Sequence, residues 1–146
     1  MKTVGSVNKI AEDLLRAVES NRVTCEEVLL IESGPYYAQL LFNLGVVFGE
    51  VVSNTYLTES ERLAASQMDR LLDFGWSAPN TPCHSSCERP HPNFHRTWAS
   101  GVPSERVVRD LVLAMVSVSM QFEGGQLTFI RESRHGHPSA GLPCSH

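Results

Sequence analysis

Long apolar stretches are absent from the sequence. No segment reaches the roughly 18 uncharged apolar residues that a membrane-spanning helix needs. Near the N-terminus, Lys9, Glu12 and Asp13 interrupt what would otherwise be the apolar region of a secretory signal peptide. We therefore predict a cytoplasmic protein that has no membrane partner and keeps its four cysteines reduced.

Concentrated positive charge is also missing. The chain has 12 Lys and Arg against 16 Asp and Glu, a net charge of -4, and no run of four basic residues. Proteins that bind nucleic acid present clustered Lys and Arg to the phosphate backbone. The composition therefore predicts no nucleic-acid partner.

Catalytic motifs are lacking as well. Gly124 and Gly125 are not followed by the Lys or the Ser/Thr of a phosphate-binding loop, so they indicate only a turn. A nucleophilic cysteine needs a neighbourhood that lowers the pKa of its thiol, and no cysteine here follows a predicted strand end or begins a predicted helix. We predict that the protein is not an enzyme.

The remaining composition is that of one globular domain. The chain has 146 residues, of which 42% are hydrophobic and 19% charged, and domains commonly contain about 100–200 residues. We predict a single domain over residues 1–132, an irregular loop rich in Cys, His and Pro at residues 77–101, and a disordered tail at residues 133–146. Loops of that length inside a domain are usually functional or disordered.

Hydrophobic periodicity predicts a helix followed by three antiparallel strands. An apolar stripe at helical spacing covers Ser6–Ser20. Glu26–Ser33 is typical of a strand, and Tyr36–Asn54 predicts two further strands joined by a tight turn at Leu44–Gly45.

The second half of the chain predicts two more helices and a closing strand. Thr58 and Glu61 have the spacing of a capping box, which opens a helix that ends at Gly75. A third helix follows Pro103, although its valines leave a strand open as an alternative. The predicted fold class is α+β, with helices on one side of an antiparallel sheet of about four strands in the order α-β-β-β-α-α-β.

Four possible metal ligands recur at four-residue intervals: Cys83, Cys87, His91 and His95. Thiolate and imidazole are the ligands that structural zinc prefers. The short middle interval and the two prolines in the series are unlike an ordinary zinc site. The prediction is that the protein has no cofactor, and the alternative hypothesis is a small zinc-stabilised interaction module that uses the Cys83–His95 loop.

The strands carry more apolar surface than the predicted helices can cover. Such an uncovered surface would mark an interaction site. We therefore predict an apolar peptide-binding surface made by seven side chains: Tyr36, Tyr37, Leu41, Phe42, Phe48, Trp76 and Trp98.

Five segments together resemble a known family. They are Glu50–Leu57, Leu71–Trp76 with Pro79, Pro92–Trp98, Val107–Leu113 and Leu127–Ile130. The set resembles the peptide-binding chaperone superfamily that joins type III secretion chaperones and YbjN-like proteins, in particular its actinobacterial branch.

The resemblance implies a non-enzymatic protein in which helices cover one side of the sheet. The sheet or its edge would accept an extended segment of a client or secreted protein by strand addition, with main-chain hydrogen bonds that provide affinity. Secretion chaperones of this superfamily are often dimers whereas YbjN-like relatives need not be, so a homodimer stays open.

Overall fold

The computed structural model describes residues 1–81, 91–119 and 125–134. Within them, one six-stranded antiparallel sheet has the strand order β1-β6-β2-β3-β4-β5. The predicted α+β class is confirmed, with six strands instead of about four. The elements are β1 (Lys2–Ser6), α1 (Val7–Thr24), β2 (Glu27–Ser33), β3 (Tyr36–Asn43), β4 (Val46–Val51), α2 (Ala65–Asp73), β5 (Phe94–Trp98), α3 (Ser104–Ser119) and β6 (Gln126–Ser133).

The two strands that the sequence did not reveal form the margins of the sheet. β1 has one large apolar residue, Val4, and precedes α1 without a turn. β5 lies inside the segment predicted to be an irregular loop, so the prediction for residues 77–101 is wrong at Phe94–Trp98. Both strands have only five residues. An alternation of apolar and polar residues over so short a segment does not distinguish a strand from the neighbouring loops. The tail predicted from residue 133 lies outside the described residues, except that Ser133 ends β6 and Arg134 follows it.

Helix α1 follows from its apolar stripe and its first residue. The Ser6 hydroxyl accepts a hydrogen bond from the Lys9 N–H, at 3.3 Å, and so caps the helix. Ile10 and Leu14 are fully buried. The helix continues one turn past the predicted end at Ser20 and ends at Cys25, whose backbone is left-handed and whose N–H donates to the Asn21 carbonyl oxygen. The Asn21 side chain in this last turn is buried and donates to the Ala17 carbonyl oxygen at 2.9 Å.

Helix α2 is shorter than predicted. The Glu61 carboxylate accepts a hydrogen bond from the Thr58 N–H, at 3.1 Å, but the turn that it closes is a single 3₁₀ turn over Glu59–Glu61. The α-helix itself begins at Ala65. Along this shorter helix Leu71 is fully buried, whereas Leu72 is exposed.

The segment after Pro103, for which the sequence left both a helix and a strand open, forms helix α3. Val107, Leu111 and Met115 are fully buried along it, and it packs against α1, α2 and β3. The helices cover one face of the sheet, as predicted, and the main hydrophobic core lies between them. Among the described residues, no helix is long and apolar enough to cross a membrane.

Candidate functional site

The seven predicted peptide-binding residues are divided between the two faces of the sheet. Successive side chains of a strand point to opposite faces, so Tyr36 and Tyr37 separate, as do Leu41 and Phe42. Tyr36 packs against the helix-side core, where its hydroxyl donates to the Glu61 carbonyl oxygen at 2.9 Å. The helix side receives Tyr36, Phe42, Trp76 and Trp98. The opposite side, here called the outer face, receives Leu41, Phe48 and Tyr37, although the Tyr37 side chain also packs against the helix-side core.

The two tryptophans are core residues. Trp76 and Trp98 are 3% and 2% exposed, and their rings meet edge to face with centroids 5.6 Å apart. Gly49 lies beneath them and leaves the space that their rings occupy. The Trp98 Nε1–H donates to a carboxylate oxygen of Asp110 at 3.0 Å. The pair therefore holds β4, β5 and α3 together, and the structure does not bring it to the outer face.

Part of the outer face is buried. Val28, Leu41 and Phe48 form a small second cluster in which each side chain is at most 6% exposed. The rings of His91 and His95 lie 5.0 and 6.4 Å from the Phe48 ring. The apolar surface predicted from the strands is consequently much smaller than the sequence suggested.

A groove of about 350 Å³ opens on the outer face beside this cluster. Leu30, Gln39 and Glu50 lie side by side across three strands in the observed register. The Asn93 side chain forms one wall of the groove and is held by two hydrogen bonds. Its amide N–H donates to the Tyr37 hydroxyl at 3.3 Å, and its amide oxygen accepts from the Ser53 backbone N–H at 3.1 Å. The outer-face groove is lined by Leu30, Glu32, Tyr37, Gln39, Glu50, Tyr56, Pro92 and Asn93.

Buried polar groups give the outer-face groove its electrostatic character. The Gln39 amide donates to the Glu50 carboxylate, and both side chains are buried. Burial raises the pKa of Glu50, and the hydrogen bond from Gln39 opposes this only in part. Burial also raises the pKa of Tyr37. Sequence reasoning missed Gln39 and Glu50, although a Glu in the middle of an apolar strand was a visible signal.

We expect Glu50→Gln to stabilise the protein near neutral pH, because the substitution removes a buried negative charge and keeps an acceptor for Gln39. The folded-state pKa of Glu50 lies above its ordinary value of 4.5, so the native protein loses stability as the pH rises from 4.5 through that raised pKa. The gain from Glu50→Gln should accordingly shrink toward acidic pH. Urea unfolding of both proteins across this range measures it, and a gain that is independent of pH would contradict the prediction.

The predicted metal ligands are only partly described. Cys83 and Cys87 lie outside the described residues. His91 and His95 are neighbours, with ring centroids 4.7 Å apart, and burial lowers the pKa of His95. In the described part of the chain, no group of three or more His, Cys, Asp or Glu residues could hold a metal ion. Nothing in this part of the chain favours the zinc-stabilised module.

The two margins of the sheet differ. At β5, the Ser77 and His95 backbones exchange hydrogen bonds of 2.8 and 3.2 Å, so that margin is already paired at His95. At the other margin, Met1, which precedes β1, exchanges a pair of hydrogen bonds with Arg131 of β6. Antiparallel pairing alternates from residue to residue, so Lys2 and Val4 direct their N–H and C=O groups away from β6. Among the described residues no strand pairs with this edge.

Comparison with known protein families identifies the family of the chain. Residues 9–119, which include helices α2 and α3, strands β2 to β5 and all but the first two residues of α1, match one family model. No curated protein and no solved structure matches the chain. The narrower assignment to an actinobacterial branch stays a prediction. Because the match spans most of the chain, the protein belongs to the family described as T3SS (YopN, CesT) and YbjN peptide-binding chaperone 3, TY-Chap3.

Proposed function

We propose that the protein is a non-enzymatic, chaperone-like domain that holds an extended segment of a client protein by pairing it with the free edge of β1. The family to which the chain belongs supports a peptide-binding role. The observation that carries the proposal is the outward direction of the Lys2 and Val4 backbone groups. An edge strand with unpaired N–H and C=O groups is a template for another strand.

The chemistry of β1 suits such a role. The Val4 side chain is 63% exposed on the outer face, so it offers apolar contact to an alternate side chain of an added strand. Lys2 is exposed beside it and keeps the edge soluble when no client is bound. The opposite margin, at β5, is a poorer site for strand addition, because the His95 backbone N–H and C=O groups are already hydrogen-bonded to Ser77. A cytoplasmic location and a homodimer remain predictions.

The test begins with an array of short peptides of varied sequence, from which binders are selected and measured in solution. Hydrogen exchange of the protein with and without a saturating binder then locates the contact. We expect the Lys2 and Val4 amides to become protected, because an added strand would hydrogen-bond both. Binders that leave these two amides unprotected, or an array without binders, would overturn the proposal.

We expect Val4→Pro to weaken peptide binding by about tenfold or more. Proline removes the outward N–H and places its ring against the incoming strand, and one lost hydrogen bond contributes about 0.5–1.5 kcal/mol. The bond to β6 is unaffected because the Val4 N–H points away from it. Val4→Thr is the matched control, since it keeps the N–H and the branched shape, and fluorescence polarisation of a labelled binder compares the two. Equal affinity of both variants would count against β1.

A further inference from the structure

The outer-face groove contains two carboxylates and no basic side chain. Glu32 and Glu50 line it, and none of the other six lining residues is Lys or Arg. Glu50 is 4% exposed, and no Lys, Arg or His of the described residues forms an ion pair with it. The neutral Gln39 amide donates a hydrogen bond to one oxygen of the Glu50 carboxylate. In the part of the chain that the structure describes, this buried charge therefore has no counter-charge.

A buried carboxylate without a cation lowers the stability of the fold. Buried ionisable groups of this kind cluster at functional sites, and a bound cation would supply the partner that Glu50 lacks. Here the groove leads from solvent to the carboxylate, so a ligand that carries a positive charge can reach it. The cost of keeping Glu50 in the empty protein would be offset when such a ligand enters.

The remaining lining residues restrict the kind of cation. Tyr37 and Tyr56 flank the groove, and Tyr56 is 58% exposed at its mouth. Aromatic faces attract organic cations, and Arg most often. The half-buried Leu30 offers an apolar wall for a methylene stem. A divalent metal is disfavoured, since it needs more oxygen ligands than the two carboxylates provide.

A guanidinium group fits these features better than an ammonium group. Its five N–H donors lie in one plane and can address the Glu50 carboxylate while the plane stacks on a tyrosine ring. We propose that the outer-face groove binds the guanidinium group of an arginine side chain in a peptide. This site is separate from the edge of β1, so it adds a side-chain specificity that strand addition by itself does not provide.

The test compares two capped amino acids that differ in charge and share their shape. Nα-acetyl-arginine amide and Nα-acetyl-citrulline amide are titrated into the full chain, and backbone amide shifts are followed by NMR. We expect the arginine compound to shift the amides of Gln39, Glu50 and Asn93, and to bind about tenfold or more tightly than citrulline. Equal binding of the two compounds, or shifts confined to another surface, would overturn the proposal.

A matched pair of variants tests the carboxylate. Glu50→Gln should reduce arginine binding by about tenfold or more, because the charge that attracts the guanidinium is removed. Glu19→Gln makes the same charge change on the exposed surface of α1 and should leave arginine binding unaltered. An unchanged affinity in Glu50→Gln would refute the role of Glu50. The comparison between arginine and citrulline in the unaltered protein needs no variant and stands if a variant fails to fold.

A separate experiment tests whether the guanidinium group belongs to a peptide or to a free small molecule. A heptapeptide of serine and threonine with one central arginine is compared with the capped arginine. We expect the heptapeptide to bind several-fold more tightly, because its backbone also contacts the outer face. Equal affinity would mean that the groove recognises a free cationic molecule, and would overturn the assignment to a peptide side chain.

Discussion

Gly49→Ala is expected to lower the free energy of unfolding by about 3 kcal/mol. A Cβ at this position would lie 2.7 Å from the Trp98 ring and 3.2 Å from the Trp76 ring. Both rings are buried and pack edge to face, so neither can move aside without disturbing the core. Overfilling a packed core costs about 1–3 kcal/mol, occasionally more. Urea unfolding followed by tryptophan fluorescence measures the change.

The matched control for this substitution is Gly101→Ala. Gly101 is exposed, and a Cβ added there meets no atom within 4 Å. We expect this control to change stability by less than about 0.5 kcal/mol. Comparable stabilities of Gly49→Ala and Gly101→Ala would mean that the Trp76–Trp98 pair tolerates insertion and is not a rigid part of the core.

Asp110→Ala is expected to destabilise the protein by about 3 kcal/mol. The Asp110 carboxylate accepts the Trp98 indole N–H at 3.0 Å and lies 3.4 Å from the Arg96 guanidinium. The Asp110 side chain is 11% exposed and that of Arg96 is 17% exposed, so both are largely desolvated. Removing one partner of a buried ion pair costs about 3–5 kcal/mol, because the other charge is left uncompensated. Thermal and urea unfolding both measure the loss.

Asp110→Asn separates the hydrogen bond from the charge. The amide oxygen can still accept the Trp98 N–H, whereas the attraction to Arg96 is lost. We expect about half of the destabilisation caused by Asp110→Ala. If the two variants were equally stable, the hydrogen bond to Trp98 would contribute nothing, and the role assigned to the indole N–H would be wrong.

Gly49 and Asp110 both contact Trp98, one of the two tryptophans that the sequence analysis placed at a binding surface. The density of large apolar side chains in Tyr36–Asn54, Trp76 and Trp98 was visible, but the partner of each side chain was not. Phe42 and Leu41 are neighbours in sequence and lie in different clusters. Their faces follow from the pairing of strands that are distant in sequence, and a change of register by one residue would exchange them.

The outer-face groove could not be predicted from the sequence for the same reason, since it too depends on the pairing of distant strands. Leu30, Gln39 and Glu50 meet because β2, β3 and β4 pair in one register, and Asn93 joins them from a distant part of the chain. No local pattern links these positions. The unusual Glu in β4 could have been noticed, but whether it is buried beside an amide or exposed depends on packing alone.

The sequence by itself determined the α+β class, the helix α1, the turn at Leu44–Gly45 and the family, because periodicity, turn residues and family motifs are local properties of the chain. The tertiary structure decided which side chains share a face, which margin of the sheet is open and where a buried carboxylate meets a groove. Those properties depend on long-range strand pairing. The sequences of short strands such as β1 and β5 contain too few strand-favouring residues for this pairing to be predicted.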